Sequence, residues 1–207
     1  MTEVKRKTKP KTERKIKPKI KVKSKINYTL HTNNPKVKFT KIVSIDPGIV
    51  NYALRIEDRT QKGKIKTVVM LRKNFETFND DLFVRVNKFF ETYHEEFATC
   101  TVLIIESQLN FIKCDWIRIF QHTITYFMLK YPDISIVEIS SKAKGKVLGW
   151  QKDISPPLKK WSVIKALELL NERGDNKGIK IIEGEDKKDD VSDTVCQIEA
   201  LIIALKK

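Results

Sequence analysis

The stretch KIVSIDPGIVN at residues 41–51 decides the fold class, because a short β-branched run ends on an acid and a turn follows at once. Residues 41–45 predict a strand, Asp46 ends it, and Pro47-Gly48 is a turn signal. Residues 50–56 alternate well enough for a second strand, and residues 64–71 read as a third. Short connections make these three strands an antiparallel meander.

Downstream of the meander, helical and strand patterns alternate. Apolar residues at helical spacing predict helices over 79–97 and 112–130, and further helices are expected at 157–172 and 190–205. The unbroken apolar run 101–105 predicts a strand buried on both faces that ends at Glu106, and residues 134–139 predict a fifth strand before a loop over 140–155. The expected architecture is therefore α/β, a five-stranded mixed sheet flanked by helices.

The positive charge is concentrated at the start of the chain. Of 41 basic residues in 207, 12 fall in residues 1–25 beside only 2 acidic ones, and the whole chain has a formal net charge of +15. We expect residues 1–40 to form a disordered basic tail and linker, and residues 41–207 to form the folded domain. A polyanion is the natural partner, and nucleic acid is the commonest one.

Other composition features limit the functional classes. Cys100, Cys114 and Cys196 show no close pairing, so we expect reduced thiols and an intracellular protein. No apolar run approaches the ~20 residues of a membrane span, and no secretory signal is expected. The Lys-rich, Pro-interrupted tail makes a mitochondrial presequence the less favoured alternative.

Four carboxylates stand where chemistry could use them. Asp46 and Glu106 end two strands, and their ends meet if those strands are neighbours. Asp190 and Asp193 lie three residues apart at the start of the last predicted helix, which puts them on one face. Like charges in one pocket repel, and divalent cations relieve this. Oxygen ligands favour Mg²⁺, with Mn²⁺ as a substitute, and two ions ~3.5–4 Å apart would activate water and stabilise a leaving oxygen.

Each acid also has a plainer interpretation. An Asp before Pro-Gly is a common turn residue, Glu106 could be an exposed strand end, and Asp190 and Asp193 could complement the helix dipole. Asp189 is expected to cap that helix. The joint occurrence of the four acids on matching elements is what favours a catalytic site.

These residues carry a resemblance to a known family. Residues 44–51, SIDPGIVN, and 104–108, IIESQ, resemble the first two motifs of RuvC-type Holliday junction resolvases of the ribonuclease H-like superfamily. Residues 188–193, KDDVSD, and 159–163, KKWSV, are similar to segments of the poxvirus branch. The resemblance covers about residues 41–205. The DPG turn is more similar to bacterial or fungal mitochondrial members.

The resemblance implies a structure-selective endonuclease that resolves four-way DNA junctions in recombination by symmetric cleavage. It implies Mg²⁺ binding and catalysis by the four acids, with a basic residue assisting at the phosphate. Lys160 is the first choice and Lys159 the next, while Lys142 and Lys144 compete, because bacterial members place a lysine after the fifth strand. Lys142, Lys144, Lys146 and Lys159 are expected to contact DNA.

Assembly follows from the same reasoning. Members of the family are homodimers, and helix 112–130, apolar nearly all round, is expected to be buried on two sides, either in an isologous interface or within one chain. Trp150, Tyr131 and Phe111 are candidates for stacking at the branch point, although such aromatics are more often core.

Two alternative functions stay open at this stage. One is a ribonuclease H acting on RNA–DNA hybrids, and the other is a non-catalytic nucleic-acid-binding protein on the same fold. A poxvirus-like protein would act at the viral replication site in the host cytoplasm, with the mitochondrion or nucleus less favoured.

Overall fold

The structure, a computed structural model, describes residues 26–31, 37–61, 63–76, 81–107 and 114–206. The strands are β1 (Tyr28–His31), β2 (Lys41–Asp46), β3 (Tyr52–Asp58), β4 (Lys66–Lys73), β5 (Val102–Glu106) and β6 (Ser135–Ile139). The helices are α1 (Leu82–Thr92), α2 (His94–Ala98), α3 (Cys114–Lys130), α4 (Ala143–Leu148), α5 (Leu158–Glu172), α6 (Asn176–Gly184) and α7 (Lys188–Leu205). Among these helices, none is long and apolar enough to cross a membrane.

The strands form one mixed sheet in the order β1-β6-β5-β2-β3-β4. The meander β2-β3-β4 is antiparallel, as predicted. β5 pairs in parallel with β2 on one side and with β6 on the other. The expected neighbourhood of the two acid-ended strands is therefore confirmed, since Ile45 lies opposite Ile105 and Asp46 and Glu106 follow them.

The sheet has six strands rather than the expected five. The additional strand, β1, pairs antiparallel with β6 from Tyr28 against Ile139 to His31 against Ile136. The expectation of a linker over residues 26–40 is thus wrong for residues 28–31, and Ile26 is buried against the core as well. The predicted tail of residues 1–25 lies outside the described residues.

Helices cover both faces of the sheet, and side-chain alternation decides which residue faces which layer. Val43 and Ile45 of β2 point into one core with α1, α2 and α3, which is rich in aromatic residues such as Phe90 and Phe127. Ile42 points to the other side, where α4 and α7 pack. The last core region joins α5, α6 and α7 to β3 and β4. Ser44 and Asp46 share the parity of Ile42 and therefore face the α7 layer.

Several helix predictions differ from the structure in detail. The predicted helix 79–97 is divided into α1 and α2 at Tyr93, and the predicted loop 140–155 contains the short helix α4. The nine-residue helix α6 was not predicted.

Helix α3 is buried on one face only. Ile119, Thr123 and Phe127 lie in the core at helical spacing, whereas Met128 and Leu129 are 50% and 80% exposed. The alternative in which one chain buries this helix on two sides is therefore wrong, and α3 leaves apolar side chains facing outward, where the favoured alternative expects an interface with a second copy.

A buried ionic cluster ties β3 to the α5–α7 layer. Arg55 is fully buried, and its Nη2 lies 2.8 Å from Glu57 Oε2 and 3.2 Å from Asp175 Oδ2. Arg59 Nη2 lies 2.9 Å from Glu199 Oε2 on α7, and Arg59 also pairs with Glu57. With Arg173, which contacts Glu57 and Glu199, the cluster balances three guanidinium groups against three carboxylates. This balance offsets much of the cost of burying the charges.

Candidate active site

Three of the four predicted acids meet at the ends of β2 and β5. Because Asp46 and Glu106 end adjacent parallel strands and have the same parity, both side chains emerge toward α7. Asp193 approaches them from α7, and one oxygen from each of the three carboxylates lies within 4.8 Å of the others. This is the only group of three or more potential metal ligands among the described residues.

Two further acids, both in the first turn of α7, lie near the site. Asp190 lines the same cleft as Asp46 and Glu106 but does not belong to the three-acid group. Asp189 does not cap the helix, because α7 begins at Lys188 and its N-cap position is Lys187. Instead, Asp189 pairs with Lys159 at 2.8 Å.

The electrostatics of this pocket disfavour the charged forms of its carboxyl groups. Burial, reinforced by the carboxylate of Glu106, raises the pKa of Asp46 well above its ordinary value. Burial, with Asp189 nearby, also raises the pKa of Asp190, to about 6. One carboxylate oxygen each of Asp190 and Asp193 is buried without a hydrogen-bond partner. Crowded oxygen donors with unsatisfied lone pairs fit a hard divalent cation such as Mg²⁺.

Lys144, at the start of α4, is the lysine that the fold brings into the acids. Its side chain is only 4% exposed, and its Nζ donates to Glu106 Oε2 at 3.1 Å and to Asp193 Oδ2. Burial alone would lower the pKa of Lys144, but the carboxylates of Glu106, Asp193 and Asp46 raise it above its usual range. The ammonium is therefore held charged among the acids.

The first-choice lysine of the sequence analysis lies elsewhere. Lys160 is exposed on α5 and is not among the residues that line the cleft. Lys159 does line the cleft, while Lys142 and Lys146 are exposed on the far side of α4 beside Ile26. The geometry favours Lys144 over Lys160 because sequence proximity to a motif does not determine which side chain the tertiary fold buries.

Two functional candidates were missed from the sequence. Gln197 and Ser44 are both fully buried, and Gln197 Nε2 donates to Glu106 Oε2 at 2.8 Å. Ser44 Oγ donates to Gln197 Oε1 at 2.9 Å, which fixes the amide orientation. The signal was present, because Gln197 lies four residues after Asp193 and is therefore on the same helix face.

The cleft itself has a volume of about 300 Å³. The β2–β3 turn, residues 47–51, forms one wall, and at Gly48 an added Cβ would lie 2.9 Å from Asn51 O, so only glycine permits this tight turn. Trp116 of α3 lines the cleft and is 38% exposed, which makes it an aromatic surface beside the acids that the sequence analysis did not single out.

The aromatics that were singled out lie in other places. Tyr131 is 9% exposed and packs in the core with Phe127, so it does not present a surface for stacking. Trp150 is partly buried and donates from Nε1 to Pro156 O at 2.9 Å. Phe111 lies outside the described residues.

Comparison with solved structures identifies the class of fold. The yeast mitochondrial Holliday junction resolvase superposes with a TM-score of 0.60 at 16% identity, over 84% of this chain and 82% of that one. RuvC of Thermus thermophilus gives 0.57 at 11% identity, over 81% and 96% of the two chains. The Fowlpox virus resolvase, solved with Holliday junction DNA, gives 0.57 at 19% identity, over 81% and 100%. The chain thus has the ribonuclease H-like fold of the Holliday junction resolvases.

Sequence comparison adds a viral relative. Protein 97L of Invertebrate iridescent virus 3, which is uncharacterised, is 29% identical over 126 residues. The match covers 58% of this chain and 57% of the viral protein's length. No family model matches the chain.

Proposed function

We propose that this protein is a divalent-metal-dependent endonuclease that resolves four-way DNA junctions. The observation that carries the proposal is the convergence of Asp46, Glu106 and Asp193 within 4.8 Å. It occurs on a fold whose solved counterparts in yeast, Thermus and Fowlpox virus are Holliday junction resolvases. A non-catalytic binding protein would have no need to crowd three carboxylates together with such unfavourable electrostatics.

Asp46, Glu106 and Asp193 would hold Mg²⁺ or Mn²⁺, with Asp190 at the rim as a further ligand. Two bound ions would activate water for attack on a phosphodiester and stabilise the leaving 3′-oxygen. The chain's own groups prepare the site. Gln197 orients Glu106, and the β2–β3 turn walls the cleft on one side.

Basic residues would hold the phosphates of the DNA next to the acids. Lys159 lines the cleft, whereas Lys142, at the N-cap of α4, and Lys146, within α4, are exposed farther from the acids, where they would meet more distant phosphates. Cationic contacts of this kind bind the backbone without reading bases, which suits recognition of a branched shape. Trp116 offers an aromatic face for a base displaced near the cut.

We further propose a homodimer, because two nicks in opposite strands need two sites. The outward apolar side chains Met128 and Leu129 of α3 supply apolar surface that a second copy would cover, and Val84 of α1 is a further exposed apolar residue. Light scattering should give about twice the 24.1 kDa chain mass. A strict monomer that still makes paired nicks would contradict this part of the proposal.

The function is tested by incubating the protein with a synthetic four-way junction, labelled on each strand in turn, and with Mg²⁺. A denaturing gel should show two symmetric nicks, and matched linear duplex and RNA–DNA hybrid should stay intact. Asp46→Asn should abolish nicking, whereas Asp186→Asn, an exposed acid just before α7, should retain it. Cleavage of the hybrid in preference to the junction would overturn the substrate assignment, and nicking by Asp46→Asn would overturn the site.

A further inference from the structure

Lys144 is a buried lysine inside the acidic pocket, and the reaction steps proposed above assign it no role. Its charged end sits between Glu106 and Asp193, two of the three residues that would bind a metal. The side chain is only 4% exposed, so the ammonium is a buried group held beside the acids and not a mobile surface group. The helix α4 packs on α7 and fixes the direction from which the lysine enters.

The charge balance explains why a buried lysine is tolerated here. Asp46, Glu106 and Asp193 crowd up to three negative charges into one small volume. Isolated buried charges of either sign are costly, so each side requires the other. Lys144 is thus a tethered cation that neutralises part of the pocket with no metal bound.

The contacts of Lys144 compete with metal binding for the same carboxylate oxygens. The ammonium donates hydrogen bonds to Glu106 Oε2 and Asp193 Oδ2, and donation occupies lone pairs that a metal ion needs. A divalent ion and an ammonium on the same oxygens also repel each other strongly at a low effective dielectric. Both cations cannot hold these two carboxylates at full strength.

We propose that Lys144 is a built-in competitor of the divalent metal, one that stabilises the pocket before metal binding and lowers its affinity for the ion. This inference rests on the proposed function, since it concerns the same metal site. Metal binding then releases the ammonium from Glu106 and Asp193. The enzyme remains folded at low metal concentration and couples loading of the site to a change at Lys144.

A merely structural role and a competing role predict opposite signs. If Lys144 only supports the fold, its removal weakens both stability and metal binding. If it competes, removal of the charge lowers the melting temperature without metal but tightens metal binding, because the carboxylates lose their internal cation. Removal of a positive charge this close should tighten binding on the order of tenfold or more.

The test measures Mn²⁺ binding to the full chain by calorimetry, without DNA, for wild type and Lys144→Met. Lys152→Met is the control, because Lys152 is an exposed lysine shortly after the same helix and has no assigned role in the site. Lys144→Gln serves if the Met variant does not fold, since it removes the charge and keeps hydrogen bonding. Melting temperatures with and without Mn²⁺ are recorded in parallel.

We expect both Lys144 variants to bind Mn²⁺ about tenfold more tightly than wild type. Without metal they should melt at a lower temperature than wild type, and added Mn²⁺ should raise their melting temperature by a larger amount. Lys152→Met should bind Mn²⁺ as tightly as wild type does. Equal or weaker Mn²⁺ binding by both Lys144 variants, with measurable binding by wild type, would overturn the inference and leave the proposed function intact. No binding by wild type or by either variant would overturn the metal site itself.

Discussion

Replacement of Gln197 by leucine tests how the fold orients a proposed metal ligand. The change removes the 2.8 Å hydrogen bond to Glu106 and leaves the buried Ser44 hydroxyl without its 2.9 Å acceptor. A hydrogen bond to a carboxylate contributes about 1.5–3 kcal/mol, and an orphaned buried hydroxyl costs about 1–3 kcal/mol. We expect a loss of about 2–4 kcal/mol, or roughly 5–15 °C in melting temperature for a domain of this size. Metal affinity should fall about 10–100-fold, as is typical when the partner of a ligand is removed.

The assay combines thermal melting with Mn²⁺ calorimetry for Gln197→Leu, Ser44→Ala and the double variant. Because the two side chains belong to one chain of hydrogen bonds, the double variant should lose less stability than the two single losses added together. Gln151→Leu, an exposed glutamine, is the matched control. If Gln197→Leu melts lower but binds Mn²⁺ as tightly as wild type, Gln197 is a packing residue and does not position Glu106.

Four further predictions concern the acids, the tail, pH and the ionic cluster. Asp46→Asn, Glu106→Gln, Asp190→Asn and Asp193→Asn should each abolish nicking while a gel-shift assay still shows junction binding; near-normal nicking by any two would refute the assignment. Deletion of residues 1–24, which keeps the buried Ile26, should make the log–log salt dependence of binding shallower by roughly 0.9 for each phosphate that the tail no longer neutralises, with junction preference retained. A collapse of that preference would make the tail a recognition element. The pKa of Asp190 rises from 3.8 to about 6 on folding, so the folded protein binds this proton more tightly than the unfolded chain does. The stability that this group contributes therefore increases as the pH falls through about 6. Because a protonated Asp190 is a poorer metal ligand, the increase in melting temperature caused by Mg²⁺ should become smaller over the same pH range. A gain that is independent of pH would contradict this. Arg55→Met should lower the free energy of unfolding by about 3–5 kcal/mol, measured by urea unfolding, because Glu57 and Asp175 lose their buried partner. A loss under about 1 kcal/mol would show that the remaining arginines of the cluster compensate for the missing charge.

The strand-borne part of the site could be predicted from sequence because it depends on local rules. A strand that ends on an acid places that acid at a sheet edge, and period-two alternation determines its face. Asp46 and Glu106 therefore follow from two short runs and one assumption about strand adjacency. Asp193 follows from helical spacing once α7 packs on that face.

The lysine could not be chosen in the same way. The sequence alone does not distinguish the four candidate lysines, Lys142, Lys144, Lys159 and Lys160. Only the packing of α4 against α7 buries Lys144. Local patterns give no hint of that packing, because α4 is a single short helix inside a stretch with loop composition.

The missed elements have physical reasons as well. The strand β1 has only four residues, and its stability comes from pairing with β6 rather than from its own pattern. The helix α6 contains Gly178, a weak helix former, where an added Cβ would lie 2.8 Å from Thr67 Oγ1. Glycine at this position allows α6 to approach β4 closely. Because glycine is a weak helix former, it also weakens the helical pattern in the sequence.

The position of α7 in the chain has a consequence for the cell that makes this protein. Asp190, Asp193 and Gln197 all belong to this helix, the last described element to be synthesised. During translation, the strands carrying Asp46 and Glu106 emerge long before the residues that complete the pocket. A chain that stops before α7 therefore lacks Asp193 and cannot assemble the three-acid group. Under the proposed function, the capacity to cut DNA would therefore depend on the helix of the described fold that is synthesised last.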